Sequence, residues 1–266
     1  MDFKKWMLVI FLAGKASSVW ADDATDLAKK TQNPVEKMIS VPLQNQFNFG
    51  YGPHQNTQYF LNAKPVVPLT STSSLNFIGR AIIPFVHQPN LYPGRGDING
   101  IGDINPTLFL SPANAGQIIW GIGPTMILPT ATNKQSGAGK WSIGPEVVIL
   151  GMPNDWVLGV LAYNVWSVAG DANRTNVNEL NLQYFINYNM PHGWYINTTP
   201  TITSDWYATS GNRWTIPWGI GAGHVFSIAK QALNMQLQIY TNSSAPKTTG
   251  ANWTAYFTIS LLYPES

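Results

Sequence analysis

Apolar and polar residues alternate along most of the chain with a period of two, the pattern of a β-strand with two unlike faces. The clearest case is WTAYFTISLLY, in which Trp253 and Tyr263 bound an apolar face and the opposite face is mostly hydroxylic. A tilted strand of about 9–11 residues crosses a bilayer, with aromatic rings at both interfaces. The same pattern predicts twelve strands, near residues 43–51, 57–68, 74–86, 101–110, 117–129, 141–151, 155–168, 180–190, 194–204, 214–228, 234–243 and 253–263. The strand at 155–168 alternates poorly, so its faces stay unassigned.

The connections between these strands alternate between short and long. TSTSS, MPND and MPHG are short, whereas HQPNLYPGRGDING, TATNKQSGAGK and GDANRTNVN are long. A Greek-key β-sandwich would also show alternating faces but gives no reason for connections of alternating length. An outer-membrane barrel has tight periplasmic turns and longer external loops, and an even strand number leaves both termini in the periplasm. The sequence therefore predicts an all-β fold, an antiparallel transmembrane β-barrel of about 12 strands over residues 43–264.

The N-terminus has the features of a secretory signal peptide. Lys4 and Lys5 precede the apolar run WMLVIFLAG, and SSVWA offers small residues for cleavage before Asp22. The apolar run is too short to be a transmembrane helix. We expect residues 1–21 to be removed on export to the outer membrane.

Residues 22–42 do not alternate. Val35, Met38 and Ile39 have helical spacing and follow Asn33-Pro34, a favourable cap and first-turn pair. The segment is predicted to be a short helix or an irregular leader, and it would lie in the periplasm or plug the lumen.

Composition bears on partners more than on fold. Charged residues are only 11% of the chain, against about a quarter in an ordinary soluble domain. Removing residues 1–21 lowers the basic count from 15 to 12 and the acidic count from 13 to 12, so the mature chain is formally neutral. Nucleic acid is therefore not an expected partner. Cysteine is absent, which excludes disulfides and thiolate metal sites, and no cofactor or metal is predicted. The expected partners are outer-membrane lipids and small-molecule solutes; the oligomeric state stays open.

Several motifs, taken in order, resemble a known family. They are NPVEKMISVPLQNQFNFGYGP, GIGDINP, WGIGPTMILPTAT, GKWSIGPEVVIL, NVWSVAGD and NLQYFINYNMPHGWY. Together they resemble the bacterial outer-membrane family named after the MetA pathway of phenol degradation, whose members are often labelled transporter-like. The resemblance covers nearly all of the mature chain. It implies an outer-membrane β-barrel and passage of aromatic or other small compounds, and it implies no catalytic residues.

The stretch GRGDINGIGDINP has three functional readings besides a structural one. A calcium site would want more carboxylates than Asp97 and Asp103 supply. A phosphate cradle would be followed by a helix, whereas a strand is predicted here. The Arg95-Gly96-Asp97 tripeptide could bind a receptor but is short enough to arise by coincidence. We interpret the stretch as the end of a long external loop and the start of the fourth strand.

Charged strand positions indicate where a barrel would keep its chemistry. A charge facing lipid costs about 2–4 kcal/mol at the midplane, so the phase of the strands predicts five charged residues in the lumen, at a constriction: Lys64, Arg80, Asp103, Glu146 and Asp205. A tight turn around Ser71 would pair position 64 with about 78 and make Lys64 and Arg80 diagonal neighbours. If Glu146 pairs with one of these cations, the other is left to face the lumen. Alternatively, the charges only pair with one another and close a plugged lumen.

The predicted function is an outer-membrane channel or transporter that passes small, aromatic or anionic solutes through a narrow charged lumen. Twelve strands fall between the filled eight-stranded barrel and the water-filled porin. One alternative is a structural or surface-interaction barrel without transport. A lipid hydrolase is a further alternative, and it would need a serine and a histidine together on the lipid face. His224 is on that face without a nearby serine, so we predict no enzyme and no catalytic residue.

Tryptophans provide a separate indication of membrane position. Those near the ends of apolar faces are expected to form most of the interfacial girdles, and they are Trp120, Trp141, Trp156, Trp194, Trp214 and Trp253.

Overall fold

A computed structural model of the chain describes residues 21–90, 96–247 and 249–264, with side chains from residue 24 onward. The predicted signal peptide lies almost wholly outside these residues. The described strands form one antiparallel sheet that closes on itself, because β1 (Ile39–Tyr51) pairs with β15 (Trp253–Tyr263) from Ile39–Tyr263 to Phe49–Trp253. The predicted twelve-stranded antiparallel barrel is confirmed.

Fifteen strand segments in the described ranges make up the twelve walls, since three walls are interrupted. The breaks lie between β2 and β3, between β5 and β6, and between β11 and β12; Pro65 and Pro200 stand at the first and last of them, where a missing N–H weakens the ladder. The remaining strands are β2 (Asn56–Ala63), β3 (Val66–Ser71), β4 (Leu75–Gln88), β5 (Ile98–Ile101), β6 (Asn105–Pro112), β7 (Ile118–Ile127), β8 (Lys140–Gly151), β9 (Trp156–Gly170), β10 (Asn178–Asn189), β11 (Trp194–Thr198), β12 (Thr201–Asp205), β13 (Trp214–Ile228) and β14 (Gln231–Ser244).

The apolar faces of the strands point outward. On β15 the hydroxylic Thr254, Thr258 and Ser260 are buried, whereas Trp253 and Tyr263 are exposed. The same division recurs round the barrel, and lipid would cover an apolar outer surface of this kind. The poorly alternating strand β9 also has a regular inner face, with Val157, Leu161 and Val165 buried. Its inward positions are not polar, because part of the inner face of β9 packs into an apolar cluster inside the barrel.

The two ends of the barrel differ in their connections. One end has short turns, at residues 72–74, 113–117, 152–155, 190–193 and 229–230, and we call it the short-turn end. The other is the long-loop end, and its connections include residues 52–55, 128–139, 171–177 and 206–213. The predicted alternation of lengths therefore holds, except that 52–55 is as short as the turns opposite.

The segment before β1 lies against the short-turn end. Its helix is α1 (Ala21–Thr31), so the expected helix after Asn33-Pro34 is wrong; residues 32–38 form turns and bends instead. The Thr25 hydroxyl lies 3.3 Å from the Met190 carbonyl oxygen, and Gln32 exchanges hydrogen bonds with Asn189 at 2.9 and 3.1 Å. In the described part of the chain, no helix has both the length and the apolar character needed to cross a membrane.

Candidate functional site

An ion pair crosses the interior of the barrel. Arg80 on β4 and Glu146 on β8 project inward, with 3.0 Å between Nη1 and Oε1. The Glu146 side chain is fully buried and that of Arg80 is 15% exposed. Burying two charges removes their hydration, which is tolerated when the pair is close and the remaining lone pairs are satisfied.

A hydroxyl group satisfies the second carboxylate oxygen, and further hydroxyl and amide groups extend the network behind it. Thr107 donates to Glu146 Oε2 at 2.7 Å, and its hydroxyl oxygen lies 2.8 Å from that of Thr125. Asn105 in turn donates to the Thr125 hydroxyl at 2.8 Å. These three residues come from β6 and β7, the strands between β4 and β8, so that one wall of the lumen carries a connected polar network.

Lys64 lies beside this pair without a carboxylate of its own. The observed register opposes Arg80 to Val66 and Ile78 to Pro68, so the predicted pairing of position 64 with 78 is wrong. The cause is the position of the turn, which comprises residues 72–74 and is not centred on Ser71, together with an irregularity between Pro68 and Thr70. Lys64 remains a diagonal neighbour of Arg80, close enough for charge repulsion between them. Its side chain makes no ion pair or hydrogen bond with any described residue.

Asp103 lies at the long-loop end, away from the Arg80–Glu146 pair. Its carboxylate accepts the backbone N–H of Ala131 at 3.1 Å and that of Ala138 at 2.6 Å. Arg174 holds the same loop from the next long connection, donating to the carbonyl oxygens of Lys134, Gly137 and Ala138. Asp103 therefore anchors the loop 128–139.

The neighbouring connection contains an exposed carboxylate. Asp171 accepts a hydrogen bond from the backbone N–H of Asn173 at 2.9 Å and one from the Asn173 side chain at 3.3 Å. The backbone hydrogen bond is the main reason that the pKa of Asp171 lies below its ordinary value, with smaller contributions from Lys134 and Arg174.

Asp205 also lies at the long-loop end. It is the cross-strand partner of Glu179, and its carboxylate accepts the Tyr207 backbone N–H at 2.9 Å. Both carboxyl-bearing residues line a cavity of about 370 Å³ with Arg213 and several threonines. Of the five residues predicted to share the lumen, the structure thus brings together Lys64, Arg80 and Glu146, and it places Asp103 and Asp205 at the long-loop end.

Buried amides form part of the inner lining near the long-loop end, and sequence reasoning did not single them out. Asn48 donates to Gln58 at 2.7 Å and Gln58 donates to Gln88 at 2.5 Å, while Thr254 donates to Asn48 at 2.9 Å. The signal was present as Asn and Gln at alternate strand positions, although no charge marked these residues. The lining is polar here, in contrast to the opposite end.

The short-turn end of the lumen is apolar and closely packed. Val35 is 4% exposed and belongs to a cluster with Ile78, Phe109 and Val148. A Cβ atom added to Gly121 would lie 2.8 Å from Val35, so glycine at this wall position makes room for the segment. Ala28 and Met38 belong to a second buried cluster with residues of the opposite wall.

The outer face around His224 forms an aromatic stack. The imidazole lies 4.1 Å from the Trp194 ring and 5.3 Å from that of Phe226, measured between centroids. Its Nε2 atom lies 3.1 Å from the His192 carbonyl oxygen. Among the described residues, no group of three or more histidines or carboxylates is placed to hold a metal ion.

The chain is similar to solved structures of outer-membrane proteins, at one TM-score above 0.5 and two below it. The COG4313 outer membrane channel from Pseudomonas putida F1 superposes with a TM-score of 0.65 at 16% identity, over 85% of this chain and 96% of that one. A porin matches with a TM-score of 0.41 at 8% identity over 85% and 99%. The Salmonella typhi outer membrane phospholipase, a dimer with bound calcium, matches with a TM-score of 0.43 at 10% identity. The match covers 91% of this chain and 98% of that one. The last two likenesses are too low to bear on function.

The first match supports a class of fold, the closed antiparallel barrel of outer-membrane proteins. The first neighbour, a channel, shares that fold at an identity too low to transfer a function. No family model and no curated protein matches the chain. The resemblance to the phenol-degradation family therefore stays a prediction.

Proposed function

We propose that this chain is an outer-membrane channel for small anionic solutes, including carboxylated aromatic compounds. The observation that carries the proposal is the position of Lys64 beside the Arg80–Glu146 pair, without a carboxylate partner among the described residues. Because Glu146 is engaged by Arg80 and Thr107, the ammonium group of Lys64 is the cation left to attract a negative charge. A low local dielectric strengthens that attraction.

Passage through this lumen would need a movement of the N-terminal segment. Val35 and Met38 are buried in apolar clusters that fill the short-turn end. We propose that residues 22–38, the part of the predicted 22–42 segment that precedes β1, act as a plug and that the conducting state displaces residues 33–38, while α1 keeps its contacts with the turn at 190–193. The polar lining of the long-loop half then leads to Lys64.

The test is the reversal potential across a salt gradient in planar bilayers. Lys64→Gln should lower the anion-to-cation permeability ratio, whereas Lys134→Gln, a matched change in an exposed loop, should not. Lys64 is preferred to Arg80 for this test because removing Arg80 would leave Glu146 buried and unpaired. A conducting protein whose permeability ratio is left unchanged by Lys64→Gln would contradict the assignment.

The proposed location is the outer membrane, with the short-turn end and both termini in the periplasm. A peptide tag inserted within residues 133–140 should be accessible on intact cells, and a tag after Ser266 should not. The opposite labelling pattern would reverse the topology.

Two other functions have separate tests. A structural or surface-interaction barrel would insert stably into bilayers without discrete conductance steps, even after the N-terminal segment is removed. A lipid hydrolase would turn over phospholipid in mixed micelles, and His224→Ala would abolish that turnover. We propose no enzymatic activity, because the described contacts of His224 are aromatic stacking and a backbone carbonyl.

A further inference from the structure

Lys140 begins β8 at the long-loop end and belongs to the inner face. Alternate residues of this strand, Lys140, Ser142 and Glu146 among them, are buried, while Trp141 on the outer face is 45% exposed. The ladder with β7 runs without a shift from Ile127–Ser142 to Ile118–Gly151, and although the ladder with β9 has an irregularity between Trp141 and Ser142, the alternation of burial along β8 continues through Lys140. Lys140 and Ser142 therefore project into the same lumen as Glu146.

Both side chains are buried and neither has a partner among the described residues. Lys140 is 7% exposed, and it makes no hydrogen bond or ion pair with any residue that the structure describes. Ser142 is 1% exposed, and its Oγ has no hydrogen-bond partner in the described chain. Most buried polar groups in proteins are hydrogen-bonded; the Ser142 hydroxyl is fully enclosed without a partner in the part of the chain that the structure describes, whereas the Lys140 ammonium group is not among the fully enclosed polar atoms and can be reached from the lumen. Two such groups on one face indicate that something polar binds between them.

The carboxylates of this region are engaged elsewhere. Asp103 accepts two backbone N–H groups of the loop 128–139. Glu146 is held by Arg80 and Thr107. Asp171 accepts the backbone N–H of Asn173. The positive charge of Lys140 is thus left without a direct counter-charge in the described part of the wall.

We infer that Lys140 and Ser142 form an anion-binding site for a small carboxylate at the long-loop end of the lumen. An ammonium group offers three donors and a hydroxyl offers one, and alternate strand residues are about 7 Å apart along the strand. A carboxylate between them would accept from both. The inference deepens the proposed function: Lys140 lies roughly 20 Å along β8 from Glu146, so this site would bind the solute before it reaches Lys64.

A binding measurement tests the site independently of conduction. The chain is reductively methylated with ¹³C on its lysines while unfolded, which retains their charge, and is then refolded in detergent. Sodium benzoate is titrated against sodium chloride of equal ionic strength, with benzyl alcohol as the neutral analogue. Lys140→Gln assigns the Lys140 signal by its loss.

We expect the Lys140 signal to shift and saturate with benzoate but not with benzyl alcohol, while the signal of exposed Lys134 follows ionic strength alone. Ser142→Ala should weaken the benzoate affinity about 3- to 10-fold, the effect of losing one donor of about 1 kcal/mol. A Lys140 signal that does not move, or that moves equally with both compounds, overturns the site. Saturable binding at Lys140 in a protein that conducts no ions would uphold the site and contradict the proposed channel.

Discussion

Arg80 and Glu146 meet inside the barrel at 3.0 Å although β6 and β7 lie between their strands. The contact joins walls that are far apart in the sheet, and the Thr107 hydroxyl from β6 completes it. A buried pair of this kind is weak evidence for stability, since an apolar pair can do as well, but removing one partner leaves an uncompensated charge.

Substitutions at this pair should therefore be strongly non-additive. Arg80→Gln or Glu146→Gln alone should destabilise the barrel by about 3–5 kcal/mol, whereas the double substitution should cost less than the sum of the two. Urea unfolding of the refolded protein in micelles measures the stability of wild type, the two single variants and the double variant, which together form a double-mutant cycle. Additive effects would mean that the two side chains act independently in solution.

The N-terminal contacts predict how conductance responds to one side chain. Val35→Asp places a carboxylate in the apolar cluster of Ile78, Phe109 and Val148, where it is costly to bury. The segment should leave the lumen, and single-channel conductance in planar bilayers should rise. Lys30→Gln, on an exposed position of α1, is the control and should leave conductance unchanged. An equal conductance in Val35→Asp would show that this segment does not limit the path.

The sequence was sufficient to predict the barrel, because the alternation of apolar and polar residues and the lengths of the connections can both be read locally along the chain. Counting strand phase and depth was also sufficient to place Glu146 within reach of Lys64 and Arg80, although it left open which of the two cations Glu146 would pair with. The sequence pattern misplaced the helix, because the spacing of Val35 and Met38 reflects burial in two clusters rather than a helical turn. The register of Lys64 was missed because the turn between β3 and β4 lies at residues 72–74 and not around Ser71. Lys140 was not predicted as a site residue, because its lack of a carboxylate partner depends on the tertiary contacts of Asp103 and Glu146, which bind other groups.

Tryptophans at both ends of the outer surface predict a depth-dependent fluorescence. Trp141 and Trp253 lie at the long-loop end and Trp156 and Trp194 at the short-turn end, and all four are exposed. Lipids with a quencher at headgroup depth should therefore quench the emission more than lipids quenched at the bilayer centre. Equal or inverted quenching would mean that these rings do not lie at the interfaces.

The clamp between two long loops predicts a protease-sensitive variant. Arg174→Gln removes donors to three carbonyl oxygens of the loop 128–139, so limited proteolysis within that loop should accelerate, while Lys134→Gln should leave the rate nearly unchanged. Equal cleavage rates for wild type and Arg174→Gln would show that the clamp is not formed in solution.

Acid should loosen the neighbouring connection through Asp171. Its pKa is lower in the folded loop than in the unfolded chain. The stabilisation is therefore complete above the ordinary carboxylate pKa and is lost as the pH falls through the lowered value. An acid-stable protease should cut residues 171–177 faster in that window, and Asp171→Asn should remove the pH dependence.

The turn between β13 and β14 offers a stabilising change. Ala229 and Lys230 have φ of 47° and 74° and join Ile228 to Gln231, a two-residue hairpin with both φ values positive. Turns of this kind favour Asn-Gly, because residues with a Cβ lose about 1–2 kcal/mol in the left-handed region. Ala229→Asn combined with Lys230→Gly should therefore raise the free energy of unfolding by about 1 kcal/mol, after the entropy lost by the added glycine. Ser74→Gly is the control, because Ser74 lies in a turn but does not have a positive φ. This substitution should not raise the free energy of unfolding. Urea unfolding in micelles compares them, and a double variant no more stable than wild type would show that the observed turn is relaxed in solution.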